Sequence, residues 1–189
     1  MTQDVQACEC VFVFVMAANT HDKKFCIPAF RVMAMDALRS EMSLREQPLA
    51  LDGVPKEIEE LFRDYDLSRV HMLWTFFLDK PRKAGEGWQF ADMSDTHIVL
   101  VPSGRIEAYN NHPITDLHGD SEFLDRLAES MDAYLNALTC ATMLGKHFIP
   151  GYADEPGLQS KLDALAQLCT DLAGGKEYED FWFGVLVGL

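Results

Sequence analysis

Histidine, cysteine, serine and carboxylate are the side chains that could do chemistry here, and their spacing comes first. The six histidines are His21, His71, His97, His112, His118 and His147. None forms His-x-x-x-His or His-Glu-x-x-His, the spacings that put two imidazoles on one helix face for zinc. His112, Asp116 and His118 have suitable ligand types, and a loop over residues 111–120 that folded back could bring them together. The same residues equally make a polar loop that ends in a helix cap. The five cysteines (Cys8, Cys10, Cys26, Cys140, Cys169) include no Cys-x-x-Cys pair, and their number is odd. They read as reduced, mostly buried thiols, although Cys8 and Cys10 share one face at strand spacing and leave a zinc or redox pair open. Ser103 sits in a turn, as a nucleophile would, but Pro-Ser-Gly between two strands is what a hairpin needs in any case. Gly85-Glu86-Gly87 is too short and too acidic to cradle a phosphate, and no Gly-x-x-x-x-Gly-Lys occurs. No enzymatic constellation emerges, and no cofactor is implied.

The elements that must position these groups follow from periodicity. Residues 10–16 (CVFVFVM) read as a strand buried on both faces, 24–27 as a returning strand, and 31–42 as a helix opened by Pro28. A second helix follows Pro55, with Ile58, Leu61, Phe62 and Tyr65 recurring at helical spacing. Residues 70–78 and 88–91 read as strands separated by the 85–87 break. Residues 96–101 and 105–109 read as a hairpin closed by Pro102-Ser103-Gly104. From Asp120 the pattern turns helical, with Leu124, Leu127, Ala128, Met131, Leu135 and Leu138 on one stripe and Gly145 ending it. Pro156 opens another helix, closed by Gly174-Gly175. Residues 178–189 keep helical spacing, with a strand as the alternative because of Gly184 and Gly188.

That order gives a single α+β domain: a central antiparallel meander flanked by N- and C-terminal helices. It divides into an N-terminal α/β extension (1–50), a core (51–145) and C-terminal helices (146–189).

Charge narrows the partner. The chain has 189 residues, 16 Lys plus Arg against 30 Asp plus Glu, and a net charge of -14. Duplex DNA and anionic membranes need a basic face, so neither is expected as a partner; a basic protein is. No apolar run is long enough to span a bilayer, and the N-terminal sequence lacks a basic lead-in to its apolar stretch, so a cytoplasmic location is expected. Glu57, Glu60 and Asp64 lie on the outer side of the helix after Pro55, and Glu107 and Tyr109 on the hairpin. Trp88, flanked by Gly87 and Gln89, is the aromatic best suited to partial exposure. These six are the candidate partner-binding residues.

Three stretches resemble the SUKH superfamily of bacterial immunity proteins, in the branch linked to nuclease and deaminase toxins, over about residues 51–141. Leu51-Asp52-Gly53-Val54-Pro55 resembles its Gly-apolar-Pro lead-in. Residues 98–106 (IVLVPSGRI) resemble its strand, Ser-Gly turn and returning strand. Ser130, Met131, Tyr134 and Leu135 are similar to its Ser-led closing helix, although the helical pattern from Asp120 starts earlier than the family's. The resemblance implies an α+β fold that blocks a toxin by covering it. It carries no catalytic residue and no cofactor. Two other readings stay open: a small metal-dependent hydrolase using the 111–120 loop, and a structural or regulatory oligomer subunit.

Overall fold

Six strands pair antiparallel in strict chain order, and the first five are joined by connections too short for a crossover. A computed structural model describes residues 43–110, 123–148 and 158–187. The expected strands over 10–16 and 24–27, the helix over 31–42 and the 111–120 loop lie outside the described residues.

A two-stranded ribbon comes first: β1 (Ser43–Leu44) pairs with β2 (Tyr65–Asp66) around α1 (Lys56–Phe62). The main sheet runs β3 (His71–Met72), β4 (Thr75–Ala84), β5 (Gly87–Met93), β6 (Thr96–Leu100), β7 (Ile106–Asn110) and β8 (Phe123–Ala128). Three helices follow: α2 (Met131–Phe148), α3 (Leu158–Ala173) and, after a 3-10 turn at Lys176–Tyr178, α4 (Glu179–Leu186). The architecture is α+β, with helices on the N- and C-terminal sides of the sheet. The C-terminal segment is helical, and Gly174 and Gly175 close α3 with φ of 123° and 106°.

One apolar core joins these parts. The inward residues of the sheet, among them Phe77, Phe90, Ile98, Leu100 and Ile106, meet Tyr134 and Leu138 of α2 and Trp182 and Leu186 of α4. A file of rings runs through it. Phe77 and Phe90 lie 6.3 Å apart, Phe90 and Tyr134 5.8 Å, Tyr134 and Trp182 6.4 Å, and Trp182 and Phe181 5.1 Å. Because Ile58, Leu61 and Phe62 belong to the same core, α1 and the C-terminal helices share it. Residues 43–50 also attach to the core unit, through Arg45 N–H to Asp64 O at 3.0 Å and Leu49 N–H to Arg63 O at 2.8 Å.

Three sequence expectations are corrected. Residues 123–128 form a strand, not the first turns of a helix begun at Asp120. Ile106, Glu107, Ala108 and Tyr109 pair with Ala128, Arg126, Asp125 and Phe123, which leaves Leu127 and Leu124 as extra residues in two bulges. Their three-residue separation imitates a helical stripe, but the bulges produce it. The helix itself starts at Met131, where Ser130 Oγ accepts the Ala133 N–H at 3.2 Å. Gly145 does not end it, since α2 continues to Phe148. Tyr65 is not on the α1 stripe. Arg45 donates through Nε to the carbonyls of Phe62 (3.2 Å) and Tyr65 (3.0 Å) and through its terminal nitrogen to Asp79 O, so the helix stops and the chain turns into β2.

Candidate functional site

The two bulges on β8 shape the most site-like feature among the described residues. At Leu127 the bulge frees a backbone carbonyl from the ladder, and buried Trp182 donates its indole N–H to that oxygen at 3.0 Å. This bond fixes α4 against the sheet edge. At Leu124 the bulge turns an apolar side chain toward the gap between sheet and helix. A concavity of about 430 Å³ lies there, lined by Trp74, Met93, Leu124, Phe181 and Val185, with Ser94, Thr96 and Asp125 as its polar members.

Each wall has a local cause. Phe181, Gly184 and Val185 share one flank of α4 at i, i+3, i+4, while Trp182 and Leu186 take the core side. Gly184 leaves the wall open, because a Cβ placed there would meet nothing within 4 Å. Two tight hairpins form the floor: Met72 pairs with Thr75 around Leu73-Trp74, and Met93 with Thr96 around Ser94-Asp95. Their first loop residues, Leu73 and Ser94, adopt φ of 56° and 51°. A left-handed conformation is costly for a branched residue such as Leu73, on the order of 1–2 kcal/mol, and it holds Trp74 at the groove.

Among the described residues that line the groove, Asp125 is the only ionisable one. Burial is the largest cause that raises its pKa above the ordinary carboxylate value; the Arg126 N–H, donated to Oδ1 at 2.7 Å, opposes this, and nearby Asp180 adds to it. In the groove wall Leu124 is 46% exposed, while Phe123, 49% exposed, packs on Tyr109 on the other face of the sheet.

The sequence-predicted residues fall in three other places. On α1, Glu57 is exposed and Glu60 pairs with Lys56 at 3.3 Å; Asp64 lies past the helix end, not on its outer side as expected, and pairs with Arg63 at 3.2 Å. Among the described residues Glu57 alone of these three has no ion-pair partner. Trp88 lies on the helix side of the sheet, half-buried, with Lys83 Nζ 5.0 Å from its ring centre. Glu107 and Tyr109 do come together, on the opposite face. Tyr109 is only 5% exposed, stacks edge-on against Phe123 at 6.0 Å, and donates its hydroxyl to Glu107 Oε2 at 2.6 Å. Burial and this bond push the phenol pKa well up. Tyr109 therefore braces Phe123 and Glu107 instead of standing out as the anchor the sequence suggested. The metal-site residues His112, Asp116 and His118 lie outside the described residues. Among the described residues no group of three His, Cys, Asp or Glu could hold a metal ion.

Sequence reasoning missed one more polar cluster on that outer face. Asp92 Oδ1 accepts from Gln89 Nε2 at 2.6 Å and from His97 Nδ1 at 2.7 Å. The 2.8 Å between the two nitrogens is then the third side of a triangle around one oxygen. This assigns the Nδ1–H tautomer to His97. Asp92 and His97 are direct cross-strand partners, and so are His97 and Tyr109, which places all three in one row across β5, β6 and β7. Their spacing in sequence shows no common motif; only strand register brings them together.

Fold and site together define an α+β domain with a bulged last strand and an apolar groove that holds the Asp125 carboxylate. No family model matches the chain, and no curated protein or solved structure matches it. Among the described residues no helix is long and apolar enough to cross a membrane.

Proposed function

We propose that this chain is an acidic protein-binding module of SUKH-like fold. In this reading it acts in the cytoplasm as an immunity protein that neutralises a nuclease or deaminase toxin by covering its basic face, without catalysis of its own. The observation that carries the reading is the groove between β8 and α4, with Leu124 half-exposed in its wall, on a chain of net charge -14. An apolar patch beside a carboxylate suits a partner that brings both hydrophobic and cationic side chains. The acidic field adds steering, which accelerates encounter with a basic enzyme by roughly 10 to 1,000-fold.

The residues behind the family resemblance hold roles that support it. Gly53 and Gly104 take φ of 75° and 88°, conformations that glycine adopts without strain. Ser130 caps α2 where the family pattern has a Ser-led helix.

The direct test mixes the purified chain with the nuclease or deaminase domain encoded beside it and measures turnover of DNA or RNA. Expected is inhibition that weakens at least roughly tenfold when ionic strength rises from low to several times physiological. Full turnover in a stoichiometric mixture, or inhibition indifferent to salt, would overturn the reading.

A further inference from the structure

We propose that the groove between β8 and α4 binds a cationic amphipathic peptide segment of the partner, seating an apolar side chain between Leu124, Phe181 and Val185 and bringing an adjacent lysine or arginine to the Asp125 carboxylate. The inference rests on the protein-binding reading above and gives it a place and a ligand chemistry.

Size is the first argument. A volume of about 430 Å³ lies near the lower end of the ~300–1,000 Å³ typical of ligand pockets, enough for one or two side chains but not for a packed helix. Chemistry is the second. The walls are apolar, and a small polar metabolite would find few convergent polar groups: the hydroxyls of Ser94 and Thr96 and one carboxylate. Charge is the third. Asp125 and Asp180 are near enough to repel, and burial disfavours the ionised form of Asp125. A cation placed beside it relieves both costs, whereas a neutral or anionic ligand relieves neither. The Arg126 charge offsets part of these costs, but its guanidinium is bound to Glu177 Oε1 at 2.6 Å.

Strand addition along the β8 edge is the competing mode, and the bulges count against it. Leu124 and Leu127 interrupt the ladder, and bulges of this kind twist an edge away from further pairing. The Leu127 carbonyl is already taken by Trp182. Side-chain insertion into the groove is the mode that remains.

The probe is a capped peptide of alternating leucine and lysine, titrated into the full chain and followed by amide and indole NMR shifts. Expected are shifts concentrated at Trp74, Leu124, Asp125 and Gly184, with affinity falling at least tenfold when the leucines are replaced by serine or the lysines by glutamine. Gly184→Leu should fill the groove and abolish these shifts, and because a helix-interior glycine is replaced, its thermal midpoint should not fall. Asp125→Asn should lower affinity roughly five- to tenfold, since it removes the charge and keeps the size. Shifts confined to the acids of α1, equal binding by the uncharged peptide, or unchanged binding to Gly184→Leu would each overturn the proposal. So would a dimer that Gly184→Leu dissociates, which would give the groove to a second copy of the chain. The two readings fail separately. A native toxin that still binds Gly184→Leu at full affinity refutes the groove and leaves the function standing. Peptide binding in the groove without toxin inhibition does the reverse.

Discussion

Asp125 is the residue where stability and binding oppose each other. Its folded pKa lies above the ordinary value because burial and Asp180 disfavour the charge. Between the unfolded and the raised pKa the native state therefore holds a proton that the unfolded chain has released. Stability falls as pH rises through that window and stays lower above it. Asp125→Asn, which still accepts the Arg126 N–H, is expected to raise the urea midpoint at neutral pH and to match wild type near pH 4, roughly the unfolded value. A variant less stable than wild type at neutral pH would contradict this account. Affinity should run the opposite way, weakening in acid as the carboxylate takes up its proton. A group that costs the fold something and serves the ligand is what a binding site requires.

At the scale of elements, β8 decides how the helices meet the sheet. Trp182→Phe keeps most of the ring but strands the Leu127 carbonyl in the core, where the lost bond and the small void should cost about 2–4 kcal/mol in denaturant unfolding. A loss below about 0.5 kcal/mol would mean that water replaces the indole. The same strand shows where the sequence was legible. The hairpin over β6 and β7 could be read from strand alternation and Pro102-Ser103-Gly104, and α3 from its leucine stripe and paired glycines. β8 could not be read, because its bulged leucines stand three apart as on a helix, and only pairing with β7 makes them strand residues. The groove was illegible for the same reason. Trp74, Asp125 and Phe181 are far apart in sequence, and hairpin geometry, a bulge and a helix flank place them together. Period-two alternation puts Glu107 and Tyr109 on one strand face, but their contact and burial depend on neighbours that alternation does not reveal. Phe181 and Gly184 at helical spacing were the one local hint, since a glycine inside an apolar helix marks either a close approach or an open space.

For the whole molecule, charge sets the terms. A net charge of -14 repels itself in the compact state, and the ion pairs found on α1 (Lys56–Glu60, Arg63–Glu59) and around Glu177 (Arg105, Arg126) are exposed and offset little of it. Raising salt from low to near-molar should therefore raise the thermal midpoint by a few degrees even as it weakens partner capture; a midpoint that falls would mean those exposed pairs matter more than the net charge. The strict chain-order pairing of the sheet has a kinetic consequence. Hairpins from β3 to β7 can form one after another with little loop-closure entropy, so the sheet should assemble quickly. The slow event is the return of α4, whose Trp182 must find the Leu127 carbonyl 55 residues back along the chain. Until it arrives, the groove has only one wall. Competence to bind is thus the last property the folding chain acquires, and a partner met during synthesis would encounter the acidic field before it encountered a site.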